Sequence, residues 1–204
     1  MEKKLTNRDI ESIRKKKKIY TAAMELFQTY GYEQVTMKMI SAVSEMSEGS
    51  IYHYFREKAG ILEYVKVEFE DEMSSILTSE KNVERDPKDV IFAYLSKELE
   101  LYESLGRELV SIVTKRTKKS SVAAVNTLSE LMDIIQPALT EYIQNCLDRG
   151  KLHTAYSATE IAYVLTAHGA GLTSIWCNYG ERYSLRNSGE TTFRILIDSL
   201  FEES

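Results

Sequence analysis

The sequence predicts an all-α protein of about nine helices, in which a small N-terminal three-helix unit precedes a larger helical body. Apolar residues make up 43% of the 204 residues, which suffices for a sizeable core, and two prolines and nine glycines leave room for long helices. Apolar side chains recur at three- and four-residue spacing, and no long stretch alternates with period two. Two consecutive short segments, joined by a tight turn, also carry helix-start signatures.

The first helix is predicted from one continuous apolar stripe. We expect it to begin between Arg8 and Arg14 and to end before Gly31, where a left-handed residue costs glycine little. Its buried face repeats at positions i, i+3, i+4, i+7, i+8 and i+11, which are Ile19, Ala22, Ala23, Leu26, Phe27 and Tyr30.

The second and third helices are predicted to open in the same way. Thr36 and Ser47 are the expected N-caps. In each case the preceding apolar residue is expected to pack on the fourth helical residue as a hydrophobic staple, Val35 on Ile40 and Met46 on Ile51. The inner faces are then assigned to Met39, Ile40 and Val43 in the second helix, and to Ile51 with Tyr54 or Phe55 in the third. Three short helices with a turn of roughly three residues form a helix-turn-helix.

Charge is distributed unevenly along the chain. Residues 1–60 contain 11 Lys/Arg and 8 Asp/Glu, a net charge of +3, whereas the remainder contains 15 and 23, a net of −8. The whole chain carries −5, so it is not a globally basic protein. This asymmetry indicates a protein that contacts phosphates with its N-terminal end only.

The third helix is suited to the major groove of DNA. Thr36 and Ser47 stand at helix N-termini, which present unpaired N–H groups and partial positive charge to phosphates. A basic run, Arg14–Lys18, precedes the buried stripe; taken alone, such a run is more typical of a solvated face, and Tyr54 and His53 also suit structural roles. Because caps, turn and basic flanks coincide, we assign DNA contacts to Lys17, Thr36, Lys38, Ser47, Glu48, Gly49, Ser50, Tyr52, His53, Tyr54 and Lys58.

Residues 12–62 closely resemble the TetR family of bacterial transcriptional regulators. The resemblance rests on Gly31-Tyr32, on Val35-Thr36, and on Tyr52-x-Tyr54-Phe55 with Lys58 in register. It implies that Thr36, Tyr54 and Lys58 contact the phosphate backbone, while Lys38, Ser47–Ser50 and Tyr52–His53 meet the groove.

Two glutamates depart from the family pattern. The chain has Ser44-Glu45 where the family usually has Ala-Gly in the turn, so Glu45 is strained if the turn requires positive φ. Glu48 lies in the first turn of the reading helix, where it repels phosphate unless it accepts a hydrogen bond from a cytosine amino group.

The body, predicted as residues 57–204 after a DNA-binding domain of residues 1–56, is amphipathic throughout. A linking helix is expected from Glu57 to Ser79. Asp86-Pro87 and the capping box Ser157-x-x-Glu160 open two later helices. A short helix is expected at Leu109–Val113, followed by a polar stretch, Thr114–Ser121. A long helix over Val122–Leu147 should kink at Pro137.

The last two helices contain a strongly apolar stripe that fits either core or a dimer face. The resemblance implies a four-helix bundle between two copies, for which we assign Ile175, Phe193, Leu196, Ile197, Leu200 and Phe201. A dimer spaces two reading helices about one DNA turn apart, which matches a palindromic operator.

Aromatic side chains beside small residues suggest a ligand pocket in the body. The candidate lining is Tyr102, Met132, Tyr142, Tyr163, Ala167, His168, Gly171 and Trp176, which suits a mostly apolar ligand. Ordinary core packing remains the alternative for each of these residues.

The sequence therefore predicts a homodimeric repressor that a small apolar effector releases from double-stranded DNA. The alternative is a DNA-binding dimer that is controlled by a protein partner and has no small-molecule pocket. No HExxH, GxSxG, GxGxxG or Walker pattern occurs, so neither an enzyme nor a cofactor or metal site is predicted. Cys146 and Cys177 are expected to be reduced thiols in a cytoplasmic protein without a membrane segment.

Overall fold

Every regular element in the described part of the chain is an α-helix. The computed structural model describes residues 6–79, 84–114, 127–180 and 183–201. The helices are α1 (Asn7–Tyr30), α2 (Met37–Ser44), α3 (Glu48–Tyr54), α4 (Lys58–Thr78), α5 (Pro87–Leu105), α6 (Arg107–Thr114), α7 (Thr127–Asp148), α8 (Ala158–Tyr179) and α9 (Leu185–Leu200). The all-α prediction is confirmed. The predicted polar stretch after Thr114 lies outside the described residues.

Helix α1 begins earlier than the sequence pattern indicated, because a capping box precedes the apolar stripe. The Thr6 hydroxyl accepts a hydrogen bond from the Asp9 amide at 3.3 Å, and the Asp9 carboxylate accepts one from the Thr6 amide at 2.9 Å. At the other end Gly31 ends the helix, as predicted, but with φ 80° and ψ 150° it has a positive-φ conformation other than the left-handed one that was expected. Tyr30 is 55% exposed, so its assignment to the buried stripe is corrected.

The predicted caps of the helix-turn-helix are present. The Thr36 hydroxyl accepts from the Met39 amide at 3.2 Å, and the Ser47 hydroxyl accepts from the Ser50 amide at 3.2 Å. Ile40 and Ile51 are fully buried and Phe55 nearly so. Val43, which was assigned to the inner face of α2, is 46% exposed, and Ser44 is the buried residue there instead. The helix turns this neighbouring position inward because it follows Ile40 by one turn.

The turn between α2 and α3 requires a left-handed residue, and that residue is Glu45. Its φ and ψ are 52° and 33°, which an L side chain adopts at a steric cost. Two interactions hold this conformation. The Ser41 hydroxyl donates to the Met46 carbonyl at 2.6 Å, and the Lys18 ammonium pairs with the Glu45 carboxylate at 2.9 Å. The hydrogen bond from Lys18 lowers the pKa of Glu45.

The described residues divide into two compact units, of which the first ends at Val65 and the second begins at Lys66, within α4. The predicted domain boundary at residues 56 and 57 stays a prediction. In the first unit α1 packs on α2 and α2 on α3. In the second, α5 packs on α8 and α9, and α7 packs on α8. No helix within the described ranges is long and apolar enough to cross a membrane.

The helix caps that the sequence predicts in the second unit are present in the structure. Asp86 caps α5 through the Lys88 amide at 2.8 Å, with Pro87 at the first helical position. Ser157 and Glu160 form the expected capping box of α8. Pro137 lies inside α7, as predicted from the sequence.

Helix α9 lies close to α5 because Gly189 faces a core leucine. A β carbon at Gly189 would overlap the Leu99 side chain, which is fully buried. Two polar contacts join the same helices: Arg194 pairs with Asp89 at 2.6 Å, and the Glu103 carboxylate accepts from the Arg186 amide at 3.1 Å. The approach of the two helices therefore depends on the missing side chain at Gly189.

Replacing Glu45 by glycine is expected to raise the midpoint of urea unfolding, because glycine adopts the left-handed conformation without steric cost. The gain should be larger in a Lys18→Met background, where no ion pair is left to lose. An unchanged or lower midpoint in both backgrounds would show that the left-handed turn carries no strain.

Replacing Gly189 by alanine is expected to lower the free energy of unfolding by about 1–3 kcal/mol, since the core around Leu99 must shift. Gly60→Ala in α4 is the matched control, because a β carbon there meets nothing within 4 Å. This control should be neutral or stabilising by up to about 1 kcal/mol through helix propensity. Equal effects of the two substitutions in urea titrations would contradict close packing at Gly189.

Candidate nucleic-acid interface

Helix α3 has one face in the core and an opposite face in solvent. Ile51 anchors the helix from below with no exposed surface, while Tyr52 is 50% exposed and His53 is exposed. At the N-terminus Ser47, Glu48 and Gly49 are exposed as well, and Ser50 is half-buried. The predicted groove-contacting residues of α3 therefore share one accessible surface, apart from the partly covered Ser50.

The start of this helix is open to close approach by a partner. A β carbon at Gly49 would meet nothing within 4 Å, so the helix backbone is reachable there. The hydroxyls of Ser47 and Ser50 lie 2.9 Å apart, and Ser47 also caps the Ser50 amide. Other N–H groups of the first turn remain available to acceptors, as at any helix N-terminus. Glu48 adds a negative charge at the same end.

Helix α2 presents a second capped N-terminus. Thr36 and Lys38 are both exposed, and the Thr36 hydroxyl is the acceptor for the Met39 amide. The partial positive charge of the helix end and the Lys38 ammonium act in the same direction, toward an anion. On α1, Lys17 is exposed, and its neighbour Lys18 pairs with Glu45.

Lys58 and Tyr54 are half-buried, like Ser50, and so are less accessible than the other predicted contacts. Tyr54 is half-buried, and its ring lies edge-on to His53 with 5.1 Å between centroids. The Lys58 ammonium donates to the carbonyls of Tyr32 at 2.5 Å and Val35 at 3.1 Å. It also lies 4.1 Å from the centre of the Tyr32 ring, and burial raises the pKa of that tyrosine to about 12. Sequence reasoning missed these contacts, because the partners lie 23 and more residues away.

The residues predicted to line a pocket do not surround one space, as far as their side chains are described. Tyr163 is 64% exposed, and Ala167 and Gly171 are exposed on the same side of α8, so their assignment to a pocket is corrected. The stripe that faces the core is instead built from the neighbouring positions Ile161, Leu165 and Thr173. The periodicity of the helix allowed either side to be the inner one.

The remaining candidates lie at separate places. Tyr102 is buried and stacks on Phe69 at 5.6 Å, and Trp176 is 8% exposed. His168 is half-buried; its Nε2 lies 2.7 Å from the Thr192 hydroxyl, and desolvation lowers its pKa. The side chain of Met132 lies outside the described part of the protein.

Tyr142 lines a recess of about 230 Å³ near the C-terminal end of α7. Its hydroxyl donates to the thiol of Cys146, and burial raises the pKa of both groups. The other lining residues include Pro87, Arg149 and Lys151. The recess is smaller than the roughly 300–1,000 Å³ that is typical of drug-sized ligand sites.

A buried carboxyl group in α5 was not among the predicted site residues. Glu98 is 1% exposed, and the Tyr102 hydroxyl donates a hydrogen bond to it. Its other oxygen, Oε2, has no hydrogen-bond partner in the described ranges and faces Gly169 of α8. Burial raises the pKa of Glu98 to about 7. The sequence feature that could have indicated this buried carboxyl group is its position. Glu98 lies inside the apolar stripe of Ile91, Leu95 and Leu99, and one helical turn from both Tyr94 and Tyr102.

The predicted dimer residues separate into core and surface. Phe193, Ile197 and Phe201 are at most 3% exposed within a single chain, so their assignment to a dimer face is corrected. They form the inner side of α9, and Phe193 lies edge-on to His168 at 5.4 Å. Ile175 is 47% exposed, and Leu196 and Leu200 are half-buried.

Comparison with known proteins matches the helix-turn-helix unit to one family. The family model described as bacterial regulatory proteins, tetR family, matches residues 19–65. The chain is 22% identical over 196 residues to the HTH-type transcriptional repressor BepR of Brucella suis biovar 1 (strain 1330), and the match covers 93% of each protein.

Solved structures share the fold along nearly the whole chain. FadR from Bacillus subtilis in complex with stearoyl-CoA has a TM-score of 0.66 at 17% identity and covers 90% of this chain and 98% of its own. SmeT in complex with triclosan has a TM-score of 0.68 at 17% identity, covering 94% and 93%.

The matched segment contains both capped helix starts, the turn at Glu45 and the exposed face of α3. The similarity to the repressor of about the same length extends over nearly the whole chain at low identity, and the solved structures share the fold. Residues 19–65 are therefore a helix-turn-helix domain of the TetR family of bacterial transcriptional regulators, within a chain of TetR-type fold.

Proposed function

We propose that the protein is a homodimeric repressor that leaves its DNA operator when a small, largely apolar effector binds. The observation that carries the DNA-binding proposal is the exposed face of α3, held from beneath by the buried Ile51 and flanked by the capped N-terminus of α2. This surface combines donors for phosphates with side chains that reach base edges. It lies in the segment that matches the family.

Each exposed group in this surface is assigned a role by its chemistry. Thr36, Lys38 and Lys17 neutralise or hydrogen-bond phosphates, which sets affinity and its dependence on salt. Ser50, Tyr52 and His53 contact base edges or thymine methyl groups and set sequence preference. Gly49 lets the helix backbone approach the groove, and Glu48 favours a cytosine amino group over a nearby phosphate.

Dimerisation is proposed through the outer face of α8. Seven of its exposed residues are alanine, glycine or larger apolar residues that recur at helical spacing: Tyr163, Val164, Ala167, Ala170, Gly171, Ile175 and Tyr179. Ile195 on α9 is 63% exposed and extends the apolar surface. Small residues allow a second helix to approach closely, and soluble proteins seldom leave such a contiguous apolar stripe in water. The operator is then a palindrome that matches the two-fold axis.

Control by a small molecule is supported by proteins of the same fold. FadR binds stearoyl-CoA and SmeT binds triclosan in their structures; triclosan is largely apolar, and stearoyl-CoA joins a long apolar acyl chain to a charged coenzyme A group. An effector dissociates the repressor only if it binds the conformation with low DNA affinity more tightly than the other. Within the described part of the body, the buried oxygens of Ser96, Glu98 and Thr173 have no hydrogen-bond partner, and they are candidates for hydrogen bonds to such a ligand.

The second candidate is a DNA-binding dimer that is controlled by a protein partner. The packed positions of Tyr102 and Trp176 favour it over a preformed pocket at those residues. Thermal shift assays with apolar ligands and acyl-CoA esters distinguish the two candidates, because an effector that binds the folded body raises its melting temperature.

Substitutions on the two kinds of contact are expected to change DNA binding differently. Lys38→Ala should weaken binding to all sequences and reduce the slope of log K against log salt by about one. Ser50→Ala and His53→Ala should each reduce the preference for the upstream region over random DNA, with about 1–3 kcal/mol per lost base contact. Fluorescence anisotropy at several salt concentrations measures both quantities.

Lys88→Ala, on α5 of the second unit, is the matched control for lost charge and should leave the salt slope unchanged. If the unaltered protein shows no sequence preference for its own upstream region at any salt concentration, the proposal is wrong. If Lys38→Ala, Ser50→Ala and His53→Ala all weaken binding to specific and random DNA equally, the assignment of separate phosphate and base contacts is wrong.

Ile175→Glu is expected to convert a dimer into a monomer, because it places a charge in the apolar face of α8. Val67→Glu is the matched control, since Val67 is also apolar and 41% exposed but lies on α4. Light scattering after size-exclusion chromatography gives the molar mass of each. A monomeric unaltered protein, or dissociation by both variants alike, would contradict the assigned interface.

A further inference from the structure

The Lys58 side chain reaches back across the first unit to the connection between α1 and α2. Its ammonium nitrogen lies 2.5 Å from the carbonyl oxygen of Tyr32, 3.1 Å from that of Val35 and 3.5 Å from that of Glu33. It also lies over the face of the Tyr32 ring, 4.1 Å from its centre. The Lys58 ammonium group therefore donates hydrogen bonds to three carbonyl oxygens of one turn.

These contacts use the whole hydrogen-bonding capacity of the lysine. An ammonium group has three N–H donors and no acceptor, and three carbonyl oxygens surround it. The residue is half-buried, and the aromatic face of Tyr32 covers one side of the charge. A phosphate oxygen could gain a direct hydrogen bond from Lys58 only by displacing one of these carbonyls.

The turn that Lys58 holds leads directly into the first phosphate-binding end of the proposed interface. The Val35 amide closes the turn on the Tyr32 carbonyl at 3.4 Å, and Thr36 follows at once. The Thr36 hydroxyl then caps α2 through the Met39 amide at 3.2 Å. Fixing the carbonyls of Tyr32 and Val35 thus fixes the position from which Thr36 and the N-terminus of α2 face solvent.

We propose that Lys58 is a positioning residue for DNA binding, which acts by holding the Tyr32–Val35 turn, and through it Thr36, rather than by contacting phosphate. This inference rests on the proposed function. It reverses the role that the family resemblance implied for Lys58. It also assigns different roles to two lysines that were both predicted to contact DNA. The Lys38 side chain is exposed and can bind phosphate, whereas the Lys58 ammonium is hydrogen-bonded within the first unit.

Lysine acetylation followed by mass spectrometry tests the inference on the unaltered protein. We expect Lys58 to react at least about ten-fold more slowly than Lys38 without DNA, because its donors are engaged, and to show no further protection when DNA is added. Lys38 should react fast and become protected by DNA. Fast reaction of Lys58 in the free protein, with protection by DNA, would overturn the inference. A protein that binds no DNA would refute the proposed function but leave the reactivity of Lys58 as a separate result.

A double-mutant cycle tests the route of action. Lys58→Met keeps the length of the side chain without its donors, and should weaken specific binding by roughly ten-fold while leaving the salt slope nearly unchanged. Its effect should be non-additive with Thr36→Ala and additive with Lys38→Ala. A salt slope that falls by one, with additivity toward Thr36→Ala, would assign Lys58 to phosphate instead. If Lys58→Met does not fold, Lys58→Arg serves in the same cycle, since Arg cannot reproduce three convergent donors.

Discussion

The helix-turn-helix depends on one packing constraint: α2 and α3 must each bury an isoleucine while both of their N-termini stay in water. Ile40 and Ile51 have no exposed surface, and the N-cap residues of the two helices, Thr36 and Ser47, are exposed. With only a short connection available, the chain can satisfy both demands only by reversing at a left-handed residue. Glu45 takes that conformation, and its ion pair with Lys18 fastens the turn to α1. The exposed face of α3 is a consequence of this arrangement.

The same unit shows how a cation stabilises a segment without regular structure. The turn after α1 leaves carbonyls that no helix or strand can satisfy, and unsatisfied carbonyls near a core are costly. Lys58 supplies the donors, and the ring of Tyr32 supplies an apolar and electron-rich surface for its charge. Gly31 makes the exit from α1 possible, and Lys58 fixes where the chain goes next.

The second unit buries a carboxyl group, that of Glu98, in an apolar environment. Helix α5 places Glu98 within an apolar stripe, where only one of its oxygens has a defined partner. Burial raises its pKa to about 7, so the folded state favours the protonated acid. Stability contributed by the neutral form is present at low pH and declines as pH rises through that value.

Local patterns in the sequence were sufficient for most of the helices. The caps at Thr36, Ser47, Asp86 and Ser157 lie where they were predicted, because a cap is a contact between residues two or three positions apart. Helix α1 starts at Asn7, just before the predicted range, although its capping box is equally local. The prediction rested on the apolar stripe from Ile19, and Thr6 lies more than three helical turns before that residue. The contact face of α3 followed from the same spacing rules.

The sequence by itself determined the fold class, most of the helix starts and the existence of a short third helix with an exposed face, because these depend on short-range hydrogen bonds and helical periodicity. Tertiary structure decided which of two neighbouring stripes faces inward. It moved Tyr163, Ala167 and Gly171 to the surface and placed Phe193, Ile197 and Phe201 in the core. It also directed Lys58 toward Val35 instead of solvent. Periodicity defines the faces of a helix, but only the packing of other helices determines which face becomes buried.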